Sequence, residues 1–153
     1  EVLQELGISK VILSPELTKA QINALSSTSI LKEVLAYGNV CVMTSEYCPI
    51  GSCYGGLSTN TKCSMPCLKS DKYYLRDRLN INFRILPDNI DCQSKIFNPK
   101  INSIETKNLR VDSIRLDILD ESLVEIQKAI NVHKSGEKLS GNIYTNGHFN
   151  RPV

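Results

Sequence analysis

The six cysteines are the residues of this sequence whose spacing best predicts chemistry. Five of them lie in CVMTSEYCPIGSCYGGLSTNTKCSMPC, residues 41–67, and only Cys92 lies outside it. Cys41, Cys48, Cys63 and Cys92 have the spacing C-x6-C-x14-C-x28-C. Four thiolates are the usual ligands of a [4Fe–4S] cluster or a structural zinc ion, because both favour soft sulfur donors. We therefore predict these four as metal ligands, with Cys67 as a fifth candidate.

The spacing leaves the kind of site open. Zinc sites favour close pairs, such as Cys48 with Cys53 and Cys63 with Cys67, but that pairing gives the first and last cysteines no role. Wide, uneven spacing suits a cluster whose ligands come from different loops, although it is not the ferredoxin run. Disulfides are less favoured, because residues 1–40 and 93–153 contain no cysteine. A buried apolar role is the ordinary alternative for any one cysteine, and we expect it for Cys53.

Three other side chains are candidates for catalysis. Glu46 lies between two predicted ligands, Asp117 lies near the end of a predicted strand, and His148 lies in GHFNR. Two of them have a specific structural alternative: Glu46 as a solvated loop residue, and Asp117 as the ion-pair partner of Arg115. Two further acids, Glu16 and Glu121, follow strands and also suit the first turn of a helix. The sequence contains no G-x-S-x-G, P-loop, dinucleotide or H-E-x-x-H motif.

Composition narrows the class of protein. The chain has 153 residues, a net charge of +2, 41% hydrophobic residues and 22% charged residues, all typical of a globular domain. No apolar run approaches the roughly 18 residues of a membrane span, so we expect no membrane partner. The nearly neutral charge gives no case for nucleic acid binding. The beginning does not resemble a signal peptide, and together with the clustered cysteines this predicts a reducing, cytoplasmic location.

Local patterns predict the elements that position these residues. Thr18 with Gln21, and Ser122 with Glu125, form capping-box patterns at the start of two helices. Leu123 begins an apolar stripe along the second of these helices, with Ile126 and Ile130. The remaining predictions are strands over 10–14, 32–38 and NVCVMT, a helix over 18–27, a hairpin over 72–77 and 81–87, a short helix in SIETKNLR, and a strand over 111–119.

Alternation of strands and helices predicts an α/β fold with parallel pairing. We expect a single fragment, 1–153, that is the C-terminal part of a (β/α) TIM-like barrel with a cysteine-rich, β-hairpin-containing insertion. A small open α/β sheet is the alternative. The predicted parts are β/α units over 1–40, the insertion over 41–95, a last β/α unit over 96–135 and a polar tail over 136–153.

The sequence also resembles a known family. VILSPEL, EVLAYGNVCVMTSEYCPIGS, KCSMPC, YYLRDR, DNIDCQSKIFN, SIRLDILDES and TNGHFNRPV are similar, in this order, to the collagenase-like peptidases of unassigned catalytic type, peptidase family U32. The resemblance implies a larger β/α-barrel protein whose N-terminal half is missing here. It also implies an oxygen-sensitive [4Fe–4S] cluster on Cys41, Cys48, Cys63 and Cys92, with Cys67 as the alternative to Cys41.

The resemblance leads to three hypotheses about function. The first is a peptidase that acts on collagen-like or other proteins and carries the iron–sulfur site. The second is iron–sulfur-dependent hydroxylation, or another modification, of RNA or a small aromatic substrate. The third is a non-catalytic fragment whose cluster or zinc ion only stabilises the insertion. Whether the substrate is protein or RNA stays open, and the exposed sheet edge of a half barrel predicts aggregation or a homo-oligomer.

Overall fold

The computed structural model describes residues 2–25, 29–70 and 72–151, which form two compact units. The split unit comprises Glu1–Asn39 and Lys100–Val153, and the cysteine unit comprises Val40–Pro99. The fold is mixed α/β, and backbone pairing joins seven strands into a sheet that is not closed within the described residues. The α/β class is thus confirmed, whereas the barrel stays a prediction. No helix in the described ranges has the length and apolar character of a membrane span.

Parallel strands form the framework of the split unit. β1 (Lys10–Ile12) pairs in parallel with β2 (Leu31–Ser45), and β2 pairs in parallel with β6 (Ser113–Leu116). The end of β5 (Ser94–Ser103) pairs in parallel with β7 (Tyr144–Thr145). The parallel pairing of β1 with β2 across a helix agrees with the sequence prediction.

The described residues of the split unit include the helices α1 (Val2–Glu5), α2 (Lys19–Ala24) and α4 (Leu123–Lys134). Both predicted capping boxes are present, with Thr18 as the N-cap of α2 and Ser122 as the N-cap of α4. The predicted helix over 18–27 is thus confirmed through residue 24, and residues 26–28 lie outside the described residues. Gly136 follows α4 with a φ of 77°, the left-handed conformation common after a helix.

The core of the split unit also contains part of the predicted polar tail. Buried apolar side chains come from the strands or the residues directly after them, from α2 and α4, and from residues after α4: Leu13, Ile22, Val34, Ala36, Tyr37, Ile104, Ala129, Leu139 and Phe149. The backbone oxygen of Phe149 accepts a hydrogen bond from the Lys19 amide at 2.9 Å. Residues 139–149 are therefore a packed part of the unit rather than a loose tail, and residues 152–153 lie outside the description.

The cysteine unit contains α3 (Pro49–Tyr54), a 3₁₀ turn (Pro66–Leu68), β3 (Tyr73–Arg76) and β4 (Asn82–Pro87). β3 and β4 form the predicted antiparallel hairpin, and β4 also pairs antiparallel with the start of β5. The core of this unit is formed by Ile50, Ile85 and Ile96, which are 2%, 3% and 8% exposed. One isoleucine from each of α3, β4 and β5 thus holds the unit together.

Several element predictions were wrong. β2 is one strand of 15 residues rather than two, with a register irregularity between Leu35 and Tyr37 in its pairing with β6. SIETKNLR is not a helix, because Asn108 adopts a left-handed φ of 63° and the Leu109 amide closes a turn onto the Thr106 oxygen. PIGS has a proline and a glycine, which are common in loops, and yet it begins α3.

The predicted apolar stripe of α4 was also wrong at its first residue, Leu123, which is not buried. Leu123 is 84% exposed, whereas Ala129 and His133 are buried. Ile126 and Ile130 are half-buried. The helix therefore buries its C-terminal half most deeply, and its first turn presents apolar side chains to solvent.

Candidate functional site

All six cysteines lie in the cysteine unit, and all six are free thiols. Cys48 is the N-cap of α3, where its Sγ accepts a hydrogen bond from the Gly51 amide at 3.3 Å. Pro49 follows it at the first helical position, where the missing N–H costs nothing. The half-buried Cys48 also packs against the isoleucine core of the unit. Its position is thus fixed both by a hydrogen bond and by packing.

Cys63 packs against the same helix because two glycines leave room for its sulfur. A Cβ added at Gly51 would lie 3.2 Å from Cys63 Sγ, and one added at Gly55 would lie only 2.5 Å from it. Cys63 Sγ also accepts a hydrogen bond from the Met65 amide at 3.3 Å. The sulfurs of Cys48 and Cys63 therefore both contact Gly51, one through its amide and one beside its Cα.

Cys67 lies in the 3₁₀ turn, which packs beside α3. The turn follows Met65, which has a left-handed φ of 54°. Tyr73 donates a hydrogen bond from its hydroxyl to the Pro66 oxygen at 2.7 Å, so β3 holds the turn in place. Cys67 is half-buried, like Cys48 and Cys63.

The other three cysteines are exposed. Cys41 lies on β2, where its Sγ donates a long hydrogen bond of 3.4 Å to the Met43 oxygen. Cys92 has a left-handed φ of 56° in a turn that Asp88 organises by accepting hydrogen bonds from the amides of residues 90 and 91. These two hydrogen bonds lower the pKa of Asp88. Cys53 lies in the last turn of α3 and is exposed, so the buried role expected for it was wrong.

The predicted metal ligands are of a suitable chemical type, but their side chains do not lie close enough together to form a metal site. Thiols with amide donors are suitable ligands for a soft metal, and both Cys48 and Cys63 have such a donor. Within the described residues, however, no three His, Cys, Asp or Glu side chains are close enough together to hold a metal ion. The four-cysteine site of Cys41, Cys48, Cys63 and Cys92 therefore stays a prediction.

The three candidates for catalysis do not form a group. Glu46 and His148 are both exposed. Asp117 Oδ1 lies 2.8 Å from Arg115 Nε, which is the expected ion pair, although this contact lacks the angle of a hydrogen bond. In the described part of the chain, no hydrogen bond or ion pair joins any two of the three candidates. Glu16, the acid after β1, is also exposed.

Glu121 occupies a more enclosed position at the end of the loop after β6. Its Oε2 accepts hydrogen bonds from the amides of Leu119 at 2.7 Å and Asp120 at 3.1 Å. Its Oε1 is buried. Burial, and then the negative charge of Glu121, raise the pKa of Tyr37. Glu121 therefore holds the backbone of its own loop in place. It lies before the N-cap Ser122 rather than in the first turn of α4, which was the structural alternative expected for it.

A buried pair, Ser103 and His133, is the arrangement that the sequence did not indicate. The two side chains are 1% and 2% exposed, and Ser103 Oγ lies 3.3 Å from His133 Nε2. His133 Nδ1 lies 2.9 Å from the Ala129 oxygen, which can only accept, so the proton of a neutral ring is on Nδ1. Ser103 therefore donates to Nε2 and accepts from the Leu139 amide at 2.8 Å. The pair is 30 residues apart in sequence, which hides it from pattern analysis.

Comparison with protein-family models matches residues 1–110 to the model described as Peptidase family U32. The matched range covers more than half of the 153 residues, and the chain therefore belongs to peptidase family U32. This confirms the resemblance carried by the sequence motifs and supports a peptidase at the level of the family. Curated proteins and solved structures give no significant match.

Proposed function

We propose that this chain is part of a collagenase-like peptidase and that its cysteine unit holds a [4Fe–4S] cluster. The observation that carries the cluster proposal is the confinement of all six cysteines, as free thiols, to Val40–Pro99. The peptidase proposal rests on membership of the family. Six free thiols also suit a reducing compartment such as the cytoplasm.

The proposed ligands are Cys41, Cys48, Cys63 and Cys92, with Cys67 as the alternative to Cys41. Two of them, Cys48 and Cys63, already have surroundings that suit a cluster ligand, because a backbone amide donates a hydrogen bond to each sulfur. Cys41 and Cys92 are exposed and lie in a strand and a turn. Cys67 is the alternative ligand to Cys41 because its turn packs beside α3, the helix that Cys48 caps.

The first test is an assay of iron, sulfide and zinc on protein purified without oxygen, together with its visible spectrum. We expect about four irons and four sulfides per chain, with broad visible absorption. One zinc ion without iron would instead make the site a structural one. Absence of metal even after reconstitution would contradict the cluster proposal.

Serine variants then identify the ligands. We expect Cys48→Ser and Cys63→Ser to lose iron, and a comparison of Cys41→Ser with Cys67→Ser to identify the remaining ligand. Cys53→Ser is the matched control, because this exposed cysteine on α3 is outside the proposed set. Equal iron loss in all of these variants, the control included, would refute the assignment.

A variant that keeps every thiol tests the packing of Cys63. Ala at Gly55 would bring its Cβ to 2.5 Å from Cys63 Sγ and 2.8 Å from the Gly51 oxygen, so we expect the sulfur to move and iron loading to fall. Gly56→Ala is the neighbouring control, because no atom lies within 4 Å of its added Cβ. Its left-handed φ of 66° makes a modest loss of stability the expected effect there.

Peptidase activity is tested separately on the loaded protein, with denatured collagen and with casein. Hydrolysis that persists in Cys63→Ser would place the peptidase residues away from the cluster. Hydrolysis that disappears with the cluster would make the cluster necessary for activity. Failure of the fully loaded chain to hydrolyse either protein would contradict the peptidase proposal for this chain and leave the cluster proposal intact.

A further inference from the structure

A cleft of about 280 Å³ lies in the split unit, between the segment after α4 and β7. We call it the tail cleft. Its lining is mostly polar and includes Ser103, Lys138, Ser140, Tyr144, Thr145 and Asn146. Among the described residues of this lining, Lys138 is the cationic one and there is no Asp or Glu. The volume is near the lower end of the roughly 300–1,000 Å³ that is typical of small-molecule sites.

The wall of the tail cleft that contains Ser103 is rigid. Ser103 is 1% exposed, and its Oγ is held by the Leu139 amide on one side and by His133 on the other. Tyr144 and Thr145 of the lining are also held in place, because they form β7 and pair with the end of β5. The cleft is therefore preorganised, which reduces the cost of ordering side chains when a ligand binds.

Several donors of the tail cleft are available to a ligand. Lys138 is exposed, and its ammonium group carries three donors. Thr145 Oγ1 accepts a hydrogen bond from the Gly147 amide at 3.1 Å, which leaves the hydroxyl proton of Thr145 free to donate. The half-buried side chains of Tyr144 and Asn146 add a hydroxyl and an amide donor.

We propose that the tail cleft binds the oxyanion of a small ligand, either a phosphate or a carboxylate group. A lysine ammonium attracts either group, and hydrogen bonds to a charged oxygen are stronger than neutral ones. The part of the lining that the structure describes contains no carboxylate that would repel an anion. This site lies within the split unit and does not depend on the cluster proposed for the cysteine unit.

The test is an amide NMR titration of the full chain with inorganic phosphate and, separately, with acetate. We expect saturable shifts in the amides of Gly141, Tyr144 and Asn146. Lys138→Gln is expected to weaken binding at least about five-fold, because it removes the charge-assisted contact. Lys134→Gln is the matched control, because this exposed lysine at the end of α4 is not in the lining.

The two ions distinguish the source of the oxyanion. Saturation by phosphate alone identifies a phosphate ester as the class of ligand, saturation by acetate alone identifies a carboxylate, and saturation by both identifies a site for either. Shifts that do not saturate, or that Lys134→Gln reduces as much as Lys138→Gln does, would overturn the proposal. Because both lysines are exposed, neither variant is expected to unfold the chain.

Discussion

Replacing Gly38 by Ala tests the packing of the loop after β6 against β2. Gly38 has a φ of 131°, and a Cβ built on it would lie 2.4 Å from the Asp117 oxygen and 2.8 Å from the Asp117 Cβ. The Asp117 amide donates to the Tyr37 oxygen at 2.8 Å, so the two segments are locked together at this point. Asp117 therefore cannot move aside without loss of a backbone hydrogen bond.

The expected loss of stability has two parts. An L-residue held at such a φ costs about 1–3 kcal/mol in backbone strain. Real Cβ atoms essentially never approach another atom more closely than 3.0 Å, so the backbone must also shift by roughly half an ångström, and overpacking of this kind costs about 1–3 kcal/mol. The free energy of unfolding should thus fall by about 2–6 kcal/mol, a large share of the roughly 5–15 kcal/mol of a typical domain.

Urea unfolding followed by circular dichroism measures this loss, and Gly7→Ala is the control. Gly7 also has a positive φ, of 74°, but no atom lies within 4 Å of its added Cβ. Gly7→Ala therefore carries only the backbone cost, about 1–2 kcal/mol. If Gly38→Ala is no more destabilising than Gly7→Ala, the close approach of Asp117 to Gly38 is refuted.

Three further substitutions test other contacts. Ser103→Ala should cost about 1–3 kcal/mol in urea unfolding, because the buried Leu139 amide loses its acceptor; an unchanged midpoint would contradict that contact. Ile50→Ala should cost about 2–5 kcal/mol and speed hydrogen exchange in the hairpin, whereas unchanged exchange would argue against the core of the cysteine unit. Ser122→Ala should cost about 1 kcal/mol and raise the pKa of Glu125, which its hydrogen bonds with Ser122 hold below the ordinary value of 4.5. A carboxyl group whose pKa is lowered by folding stabilises the folded state above its unfolded pKa. The amides of α4 should therefore lose hydrogen-exchange protection as the pH falls below about 4.5. An NMR titration that finds the same Glu125 pKa in the parent chain and in Ser122→Ala would exclude the capping box.

Features with a local cause were predicted correctly from the sequence. The two capping boxes need only residues three apart, and the hairpin of β3 and β4 needs only two apolar runs joined by a short polar segment. In each case the physical cause lies within a few residues of its effect.

Features that depend on distant partners were missed. β5 contains Pro99 and several polar residues, and it is a strand because it pairs with β4 along one part and with β7 along another. Leu139 and Phe149 lie in a polar stretch but are 8% and 6% exposed, because the rest of the split unit covers them. The strand that pairs with the end of β5, and the segments that cover Leu139 and Phe149, are too far away in the sequence to be recognised from the neighbouring residues.

At the candidate site, the glycines of the cysteine unit are another feature that could not be predicted from nearby residues. Gly51 and Gly55 mark a loop by composition, yet they lie on and just after α3, where the missing side chains make space for Cys63 Sγ. The sequence thus identified the cysteines, because a thiol is recognisable in isolation. It did not identify the glycines that seat one of them, because that role exists only once residue 63 has been folded onto residues 51 and 55. A thiol placed by packing against a helix keeps its position before any metal binds. If the cysteine unit holds the proposed cluster, its iron loading should therefore depend on these two glycines as well as on the proposed ligands.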